Sequence, residues 1–174
     1  MGLHNFIHGI PHFAISIALE DNGELVAGVI YEPINDQMFW AERGNGAWLN
    51  DRRIRVSGRR HMGDSIFATG IPLVKKSQKN IFKQMENVIS KSAGVRRFGS
   101  AALDLAYVAA GRFDGFWETN LNPWDIAAGI VLIKESGGII SEINGGTNLL
   151  ETGSVVATNP NLYTEFKKTI YKNQ

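Results

Sequence analysis

Short β-compatible segments alternate with turn residues over the first third of the chain, and this spacing is the strongest constraint on its fold. The predicted strands lie at residues 13–19, 24–31, 38–41, 48–49 and 54–56. Asn, Asp and Gly fill the turns between them, and these residues tolerate the positive φ angles that tight hairpins need. The pattern therefore predicts an antiparallel meander.

The sequence after Met62 combines helical periodicity with further short strands. Ser100 is predicted to be the N-cap of one helix and Gly111 to end it. The predicted helices span residues 78–91, 100–110, 122–136 and 160–171, and the predicted strands span 65–69, 112–117, 139–143 and 154–157. A meander followed by mixed helices and strands predicts an α+β protein. No linker-like spacer separates the two parts, so we interpret the boundary near residue 62 as a change of sheet. Residues 1–62 would form an antiparallel-sheet half, and residues 63–174 a mixed α/β half built on a second, small sheet.

The composition excludes several classes of function. Eighteen basic residues against 17 acidic ones give a net charge of +1, which argues against a nucleic-acid or membrane-surface partner. The absence of cysteine excludes disulfides, thiol nucleophiles and Cys-ligated metals. No apolar run reaches the ~18–20 residues that span a bilayer. We expect a soluble, cytoplasmic protein with no membrane attachment.

Two acidic residues stand where a predicted strand ends and a predicted helix begins. Asn122 and Pro123 have the N-cap and first-turn chemistry of a helix start, which places Asp125 in the first turn, where free N–H groups favour an ionised carboxylate. Such a carboxylate can ligate a hard cation such as Mg2+, or it can simply offset the helix dipole. Glu118, at the strand end, can point into a cleft or into solvent. Both alternatives remain open from the residues alone.

Small residues mark another predicted helix start, at Gly99, Ser100 and Ala101. They would allow an anionic or hydroxyl-bearing ligand to approach the free N–H groups, although close helix packing explains them equally well. His8 and His12 have the spacing of a helical metal pair, but Pro11 would disrupt that helix. The Arg-rich segment 52–60 could bind phosphate or RNA, and the solvated face of a strand is the simpler interpretation.

One motif is more specific than these features. The segment Pro-Trp-Asp-Ile-Ala-Ala-Gly at 123–129, followed by Glu-Ser-Gly-Gly at 135–138, closely resembles the C-terminal signature of the inositol monophosphatase family. Further segments resemble the same family in the same order, at residues 5–11, 16–19, 28–33, 41–47 and 99–115. The set covers nearly the whole chain, and we therefore regard the resemblance as specific.

The resemblance implies a layered αβαβα sandwich and Mg2+-dependent hydrolysis of a phosphate monoester, in which metal ions polarise the phosphate and generate a hydroxide nucleophile. It implies that Asp125 is a metal ligand and that Glu118 is a hydrogen-bond partner of substrate hydroxyls. It also implies that the helix start at 99–101 contacts the substrate. Gly2 would match the glycine of an Asp-Pro-x-Asp-Gly-Thr motif whose N–H groups hold the phosphate.

The sequence departs from the family pattern at its beginning. The two aspartates of that motif and an upstream metal-binding glutamate have no counterparts, and Leu3 stands where the family has a threonine that positions the attacking water. We therefore expect a C-terminal portion of a family member that lacks the N-terminal elements of the sandwich, with residues 1–62 as the remainder of its sheet half. Its meander would expose an edge.

The resemblance predicts a phosphatase of the inositol-1-monophosphatase type. Its substrate would be a small phosphorylated polyol or sugar, with inositol 1-phosphate as the default and histidinol phosphate or nucleotide phosphates left open. Activity would require the missing residues, in cis or from a complementing N-terminal fragment. The alternative is a non-catalytic remnant that acts as an interaction or oligomerisation module. In either case we expect a homodimer or a complex with a complementing fragment, formed through the meander edge or the 38–48 surface.

Overall fold

Two five-stranded sheets organise the fold in the computed structural model, which describes residues 2–71 and 75–171, with the backbone alone over 75–79. Strands of the first sheet follow one another in chain order, each antiparallel to the next. They are Ile15–Asp21 (β1), Glu24–Glu32 (β2), Gln37–Glu42 (β3), Gly46–Leu49 (β4) and Arg52–Ile54 (β5). The predicted meander is thus confirmed. Asn22 and Gly23, with φ angles of 51° and 80°, form its first turn.

The second sheet is mixed and its order, β7-β6-β8-β10-β9, departs from chain order. Its strands are Ile66–Thr69 (β6), Gly94–Arg96 (β7), Gly115–Glu118 (β8), Ile139–Ser141 (β9) and Val155–Thr158 (β10). β6 runs parallel to both β7 and β8, whereas β10 is antiparallel to β8 and β9. Sequence analysis missed β7, because three residues carry too little periodicity to be recognised.

Helices separate the sheets and cover one of them. They are Leu3–Ile7 (α1), Lys75–Ile89 (α2), Ala101–Ala109 (α3), Pro123–Glu135 (α4), Leu149–Thr152 (α5) and Tyr163–Tyr171 (α6). α3 and α4 pack between the two sheets, and α2 and α6 pack on the far side of the second sheet. The resulting sheet–helix–sheet–helix order matches four successive layers of the expected sandwich. None of the helices formed by residues 2–71 and 75–171 combines the length and hydropathy that a bilayer crossing requires.

The predicted helix is confirmed as α2, but fewer of its apolar residues are buried than its periodicity suggested. Ile81 and Val88 are buried, as the periodicity predicts, whereas Phe82 and Ile89 are 54% and 52% exposed. The helix lies at the surface of the second sheet, so only one narrow face meets the core. The short helices α1 and α5 were not predicted, and their four or five residues leave no periodic signal.

α4 has apolar residues on nearly all sides, and the fold covers it on two of them. Its buried positions meet the first sheet on one side and α3 on the other. A Cβ built on Gly129 would stand 2.7 Å from Leu105 Cβ in α3, so the glycine permits close helix packing. The division of the chain at residue 62 stays a prediction, and the core around α3 and α4 takes side chains from both parts.

One face of the meander carries exposed apolar side chains and is called the outer face here. Ile15, Ile17 and Leu19 of β1 are 56–63% exposed, and Met38 of β3 is 42% exposed. Register places them on one side of the sheet with Val29, opposite to the side that meets α4. Among the described residues β1 pairs only with β2, so both an edge and a face of this sheet are open.

Candidate active site

Glu118 and Asp125 come together at the junction between β8 and α4. Glu118 is the last residue of β8, and Asp125 lies in the first turn of α4. Asp125 Oδ2 accepts a hydrogen bond of 3.1 Å from the backbone N–H of Asn122, while its own N–H donates to the Asn122 carbonyl at 2.9 Å. Asp125 therefore caps its helix, and its partly exposed carboxylate keeps further lone pairs for a ligand.

The surroundings of Glu118 favour its protonated form. Partial burial and the negative charge of Asp125 raise the pKa of Glu118 to about 7, and Arg97 opposes the shift. Near neutral pH the Glu118 carboxyl is therefore divided between two protonation states. It can accept a hydrogen bond from a ligand hydroxyl in one state and donate one in the other.

The start of α3 presents small residues, as predicted, but its N-cap differs from expectation. Ser100 occupies the N-cap position, yet its hydroxyl makes no capping hydrogen bond. Ser100 is 2% exposed, and its Oγ has no hydrogen-bond partner among the described residues. Gly99 precedes it with a φ of 82°, and Ala101 opens the helix. The close-packing interpretation also holds, because Ala102 and Ala106 are fully buried.

Asp104 is a further acidic residue of this region that sequence analysis missed. It is buried in α3, and its Oδ1 has no partner in the described part of the chain. Burial and the charge of Glu118 raise the pKa of Asp104 well above its ordinary value, against an opposing effect of Arg97. A single carboxyl group within an otherwise apolar run of Ala and Leu was the available signal.

Gly2 is the N-cap residue of α1. Its φ is 85°, and a Cβ there would stand 2.9 Å from the His12 carbonyl oxygen. Asn5 of α1 donates hydrogen bonds of 2.8 Å to His12 O and 2.7 Å to Phe98 O. These bonds connect α1 to the segment that leads into Gly99. Gly2, for which the resemblance implies a contact with the substrate phosphate, therefore lies in a helix that is held next to the start of α3.

The described residues do not by themselves make up a magnesium site. No group of three His, Asp or Glu side chains that could hold a metal ion occurs among residues 2–71 and 75–171. His8 stands at the end of α1 and His12 lies outside it, so the two do not form the i, i+4 pair of a single helix. Asp125 offers one carboxylate, whereas Mg2+ requires a near-octahedral set of oxygen ligands.

Two cavities flank α4. A groove of about 320 Å³ lies between β1 and the start of α4 and is lined by Pro123 and Trp124, next to Asp125. A larger cavity of about 590 Å³ lies at the other end of the helix, beside Glu135. Neither lining includes Asp125, Glu118 or residues 99–101. The candidate site is therefore defined by the junction of β8 and α4 and not by these cavities.

Glu135, the first residue of the Glu-Ser-Gly-Gly motif, supports the fold. Its Oε1 and Oε2 accept hydrogen bonds from the backbone N–H groups of Gly44 and Gly46, at 3.1 and 2.9 Å. Both glycines have positive φ angles in the β3–β4 turn. The motif carboxylate therefore fastens the end of α4 to the meander.

The Arg-rich segment agrees with the solvated-face interpretation. Arg52, Arg53 and Arg55 are exposed. Arg59 forms an ion pair of 3.1 Å with the buried carboxylate of Asp114, which also accepts the Ile66 N–H at 2.8 Å. Arg59 is therefore engaged in the fold through this ion pair.

Comparison with known proteins agrees with this fold. The model of the inositol monophosphatase family matches residues 2–174, and the chain belongs to that family. An inositol-1-monophosphatase of Mesorhizobium japonicum is 53% identical over 172 residues, which cover 98% of this chain and 65% of that protein. A Nus factor SuhB of Pseudomonas aeruginosa is 44% identical, with 97% of this chain and 64% of that protein covered.

A solved structure has nearly the same fold as this chain. The extragenic suppressor protein suhB from Bartonella henselae superposes with a TM-score of 0.97 at 50% identity, covering 99% of this chain and 67% of that one. The chain thus spans about two thirds of the length of the relatives it matches. The mixed α+β fold inferred from the resemblance is confirmed.

Proposed function

We propose that this chain carries the substrate-hydroxyl side of a phosphatase site that hydrolyses a small phosphorylated polyol or sugar, with inositol 1-phosphate as the first candidate. The observation that carries the proposal is the junction at which Glu118 ends β8 and Asp125 lies in the first turn of α4, where the charge of Asp125 helps to raise the pKa of Glu118. Glu118 would bind a hydroxyl of the substrate, and the small residues 99–101 would let the substrate approach the helix.

Asp125 would supply one ligand to Mg2+. The remaining ligands would come from the third of the relatives' length that the match does not cover, either within one polypeptide or from a second one. Mg2+, once bound, supplies charge neutralisation and an activated water. Activity therefore requires more carboxylates than this chain's described residues bring together.

Phosphate release from inositol 1-phosphate tests the proposal. The measurement compares the chain alone with a fusion to the part of the Mesorhizobium japonicum relative that the chain does not cover, joined before residue 2, where the family resemblance implies it. We expect background hydrolysis by the chain alone and Mg2+-dependent hydrolysis by the fusion. Asp125→Asn should lower the kcat of the fusion at least about 100-fold, since one metal ligand is weakened.

The matched control is Asp64→Asn, an exposed carboxylate in the 3-10 turn at Met62–Asp64, which should leave kcat unchanged. A folded fusion that releases no phosphate with Mg2+ contradicts the proposed activity. Equal activity of the chain alone contradicts the requirement for further ligands.

A second candidate function is supported by the exposed outer face. The Pseudomonas aeruginosa relative is a Nus factor, and a chain with an open apolar sheet face suits a non-catalytic role within an assembly. Inactivity of the fusion together with concentration-dependent association of the chain would favour this function.

A further inference from the structure

Gly70 directly follows β6, and its backbone does not require glycine. Its φ lies outside the left-handed region, so a residue with a side chain could adopt the same conformation. A Cβ atom built on Gly70 would, however, overlap Cδ and both carboxylate oxygens of Glu118. The Glu118 carboxylate therefore occupies the space that a side chain at residue 70 would fill.

The two residues meet because β6 and β8 are parallel neighbours. Thr69 pairs with Trp117 at the end of this ladder, so Gly70 and Glu118 follow at the same edge of the sheet. Thr69 Oγ1 donates a hydrogen bond of 2.7 Å to the Trp117 carbonyl, and both residues are fully buried. This bond holds the two strand ends in register, and with them the backbones of Gly70 and Glu118.

The Glu118 carboxylate has no bonding partner among the side chains that the structure describes. Between the side chains of residues 2–71 and 80–171, no hydrogen bond or ion pair involves this group. The charge of Asp125 opposes the ionised form of Glu118, and Arg97 favours it. The shape of the space around the carboxylate also limits its position, and the bare Cα of Gly70 forms one wall of that space.

We propose that Gly70 is a positioning residue, which holds the Glu118 carboxylate at the end of β8 by leaving room for it. A side chain at residue 70 would displace that carboxylate towards solvent. The functional meaning of this position rests on the proposed function, in which Glu118 binds a substrate hydroxyl. The steric relationship itself involves no substrate and no metal, and it can be tested on the chain alone.

A double-mutant cycle on the full chain measures the relationship. The variants are Gly70→Ala, Glu118→Ala and the double variant, each unfolded in urea at pH 8. We expect Gly70→Ala to change the folding equilibrium constant at least about 3-fold more in the native background than in the Glu118→Ala background, because only in the native background must the methyl group displace the carboxylate. In the Glu118→Ala background the same change should cost less than about 2-fold. Gly58→Ala serves as the control, because a Cβ there meets nothing within 4 Å.

A second measurement reports the position of Glu118 directly. Carbon-13 NMR of labelled Glu side chains follows the titration of Glu118, and we expect Gly70→Ala to move it towards lower pH as the group becomes solvated. In the fusion, Gly70→Ala should lower kcat/KM for inositol 1-phosphate about 10-fold more than kcat/KM for 4-nitrophenyl phosphate, which has no polyol hydroxyl to bind.

An equal cost of Gly70→Ala in both backgrounds, with an unchanged Glu118 titration, would overturn the inference. If Gly70→Ala alone does not fold, a folded double variant supports the inference and an unfolded one overturns it. An inactive fusion would contradict the proposed function without altering the result of the unfolding cycle.

Discussion

Gly28 in β2 lies directly against the backbone of Ala128 in α4. A Cβ on Gly28 would stand 2.7 Å from the Ala128 carbonyl oxygen and 2.8 Å from its Cα, closer than non-bonded atoms approach. Ile30 on the same face of β2 is fully buried, so this face of the sheet is the one that meets the helix. Gly28 thus permits the spacing between the meander and the helix that carries Asp125.

Gly28→Ala should destabilise the protein by about 2 kcal/mol, because the added methyl group meets backbone atoms that cannot rotate away. Urea unfolding of the chain measures the change in the free energy of unfolding. Gly63→Ala is the control, since open space surrounds that glycine. A loss below about 0.5 kcal/mol for Gly28→Ala would show that α4 can shift on the sheet.

Glu135→Ala should lower the free energy of unfolding by about 1–3 kcal/mol, because two backbone N–H groups, those of Gly44 and Gly46, lose their acceptor. Glu135→Gln keeps one side-chain oxygen and should lose less. Thermal or urea unfolding of the three proteins provides the comparison. Equal stability of the alanine variant and the native chain would mean that water replaces the carboxylate at no cost.

Glu118 should make stability depend on pH. Its folded-state pKa of about 7 lies above the ordinary value of 4.5, so the folded state binds more protons than the unfolded state between these values. The group's contribution to stability is therefore fully present below pH 4.5 and is lost as pH rises through about 7. The loss for this group is at most about 3 kcal/mol.

Unfolding of native chain and Glu118→Gln at pH 5 and pH 8 measures this effect. The glutamine variant should lose less stability over the interval, while Asp104, whose pKa is shifted in the same direction, leaves part of the dependence in place. Exposed Glu165 provides the control, and Glu165→Gln should retain the native dependence. An unchanged dependence in Glu118→Gln would contradict the raised pKa of Glu118.

The outer face should drive self-association of the chain. Its exposed apolar side chains gain free energy when a second copy covers them, and sedimentation velocity at about 10 μM should therefore show dimers or larger species. Ile17→Glu places a charge at the centre of β1 on this face and should shift the chain towards monomer. Glu165→Gln, on α6, should not. A strictly monomeric native chain would contradict the prediction.

Local chemistry in the sequence was sufficient to predict many single elements. Asn22 and Gly23 predicted the first hairpin, and Asn122 with Pro123 predicted the start of α4, since each depends only on residues a few positions apart. The roles that the family resemblance implies for Asp125 and Glu118 stay predictions, although their places at the end of β8 and the start of α4 are as expected. The sequence did not indicate why the Ala-Ala-Gly part of the family motif is small. In the structure, Ala128 packs against Gly28 and Gly129 packs against Leu105.

Tertiary structure alone decided how distant segments meet. The parallel pairing of β6 with β7 and β8 brings Gly70 to Glu118 across 48 positions of sequence, and Glu135 reaches Gly44 across 91. Nothing in the local sequence of either partner indicates such a contact, because strand order depends on which faces the helices bury together. The sequence determined which residues could do chemistry here, and packing determined which of them are neighbours.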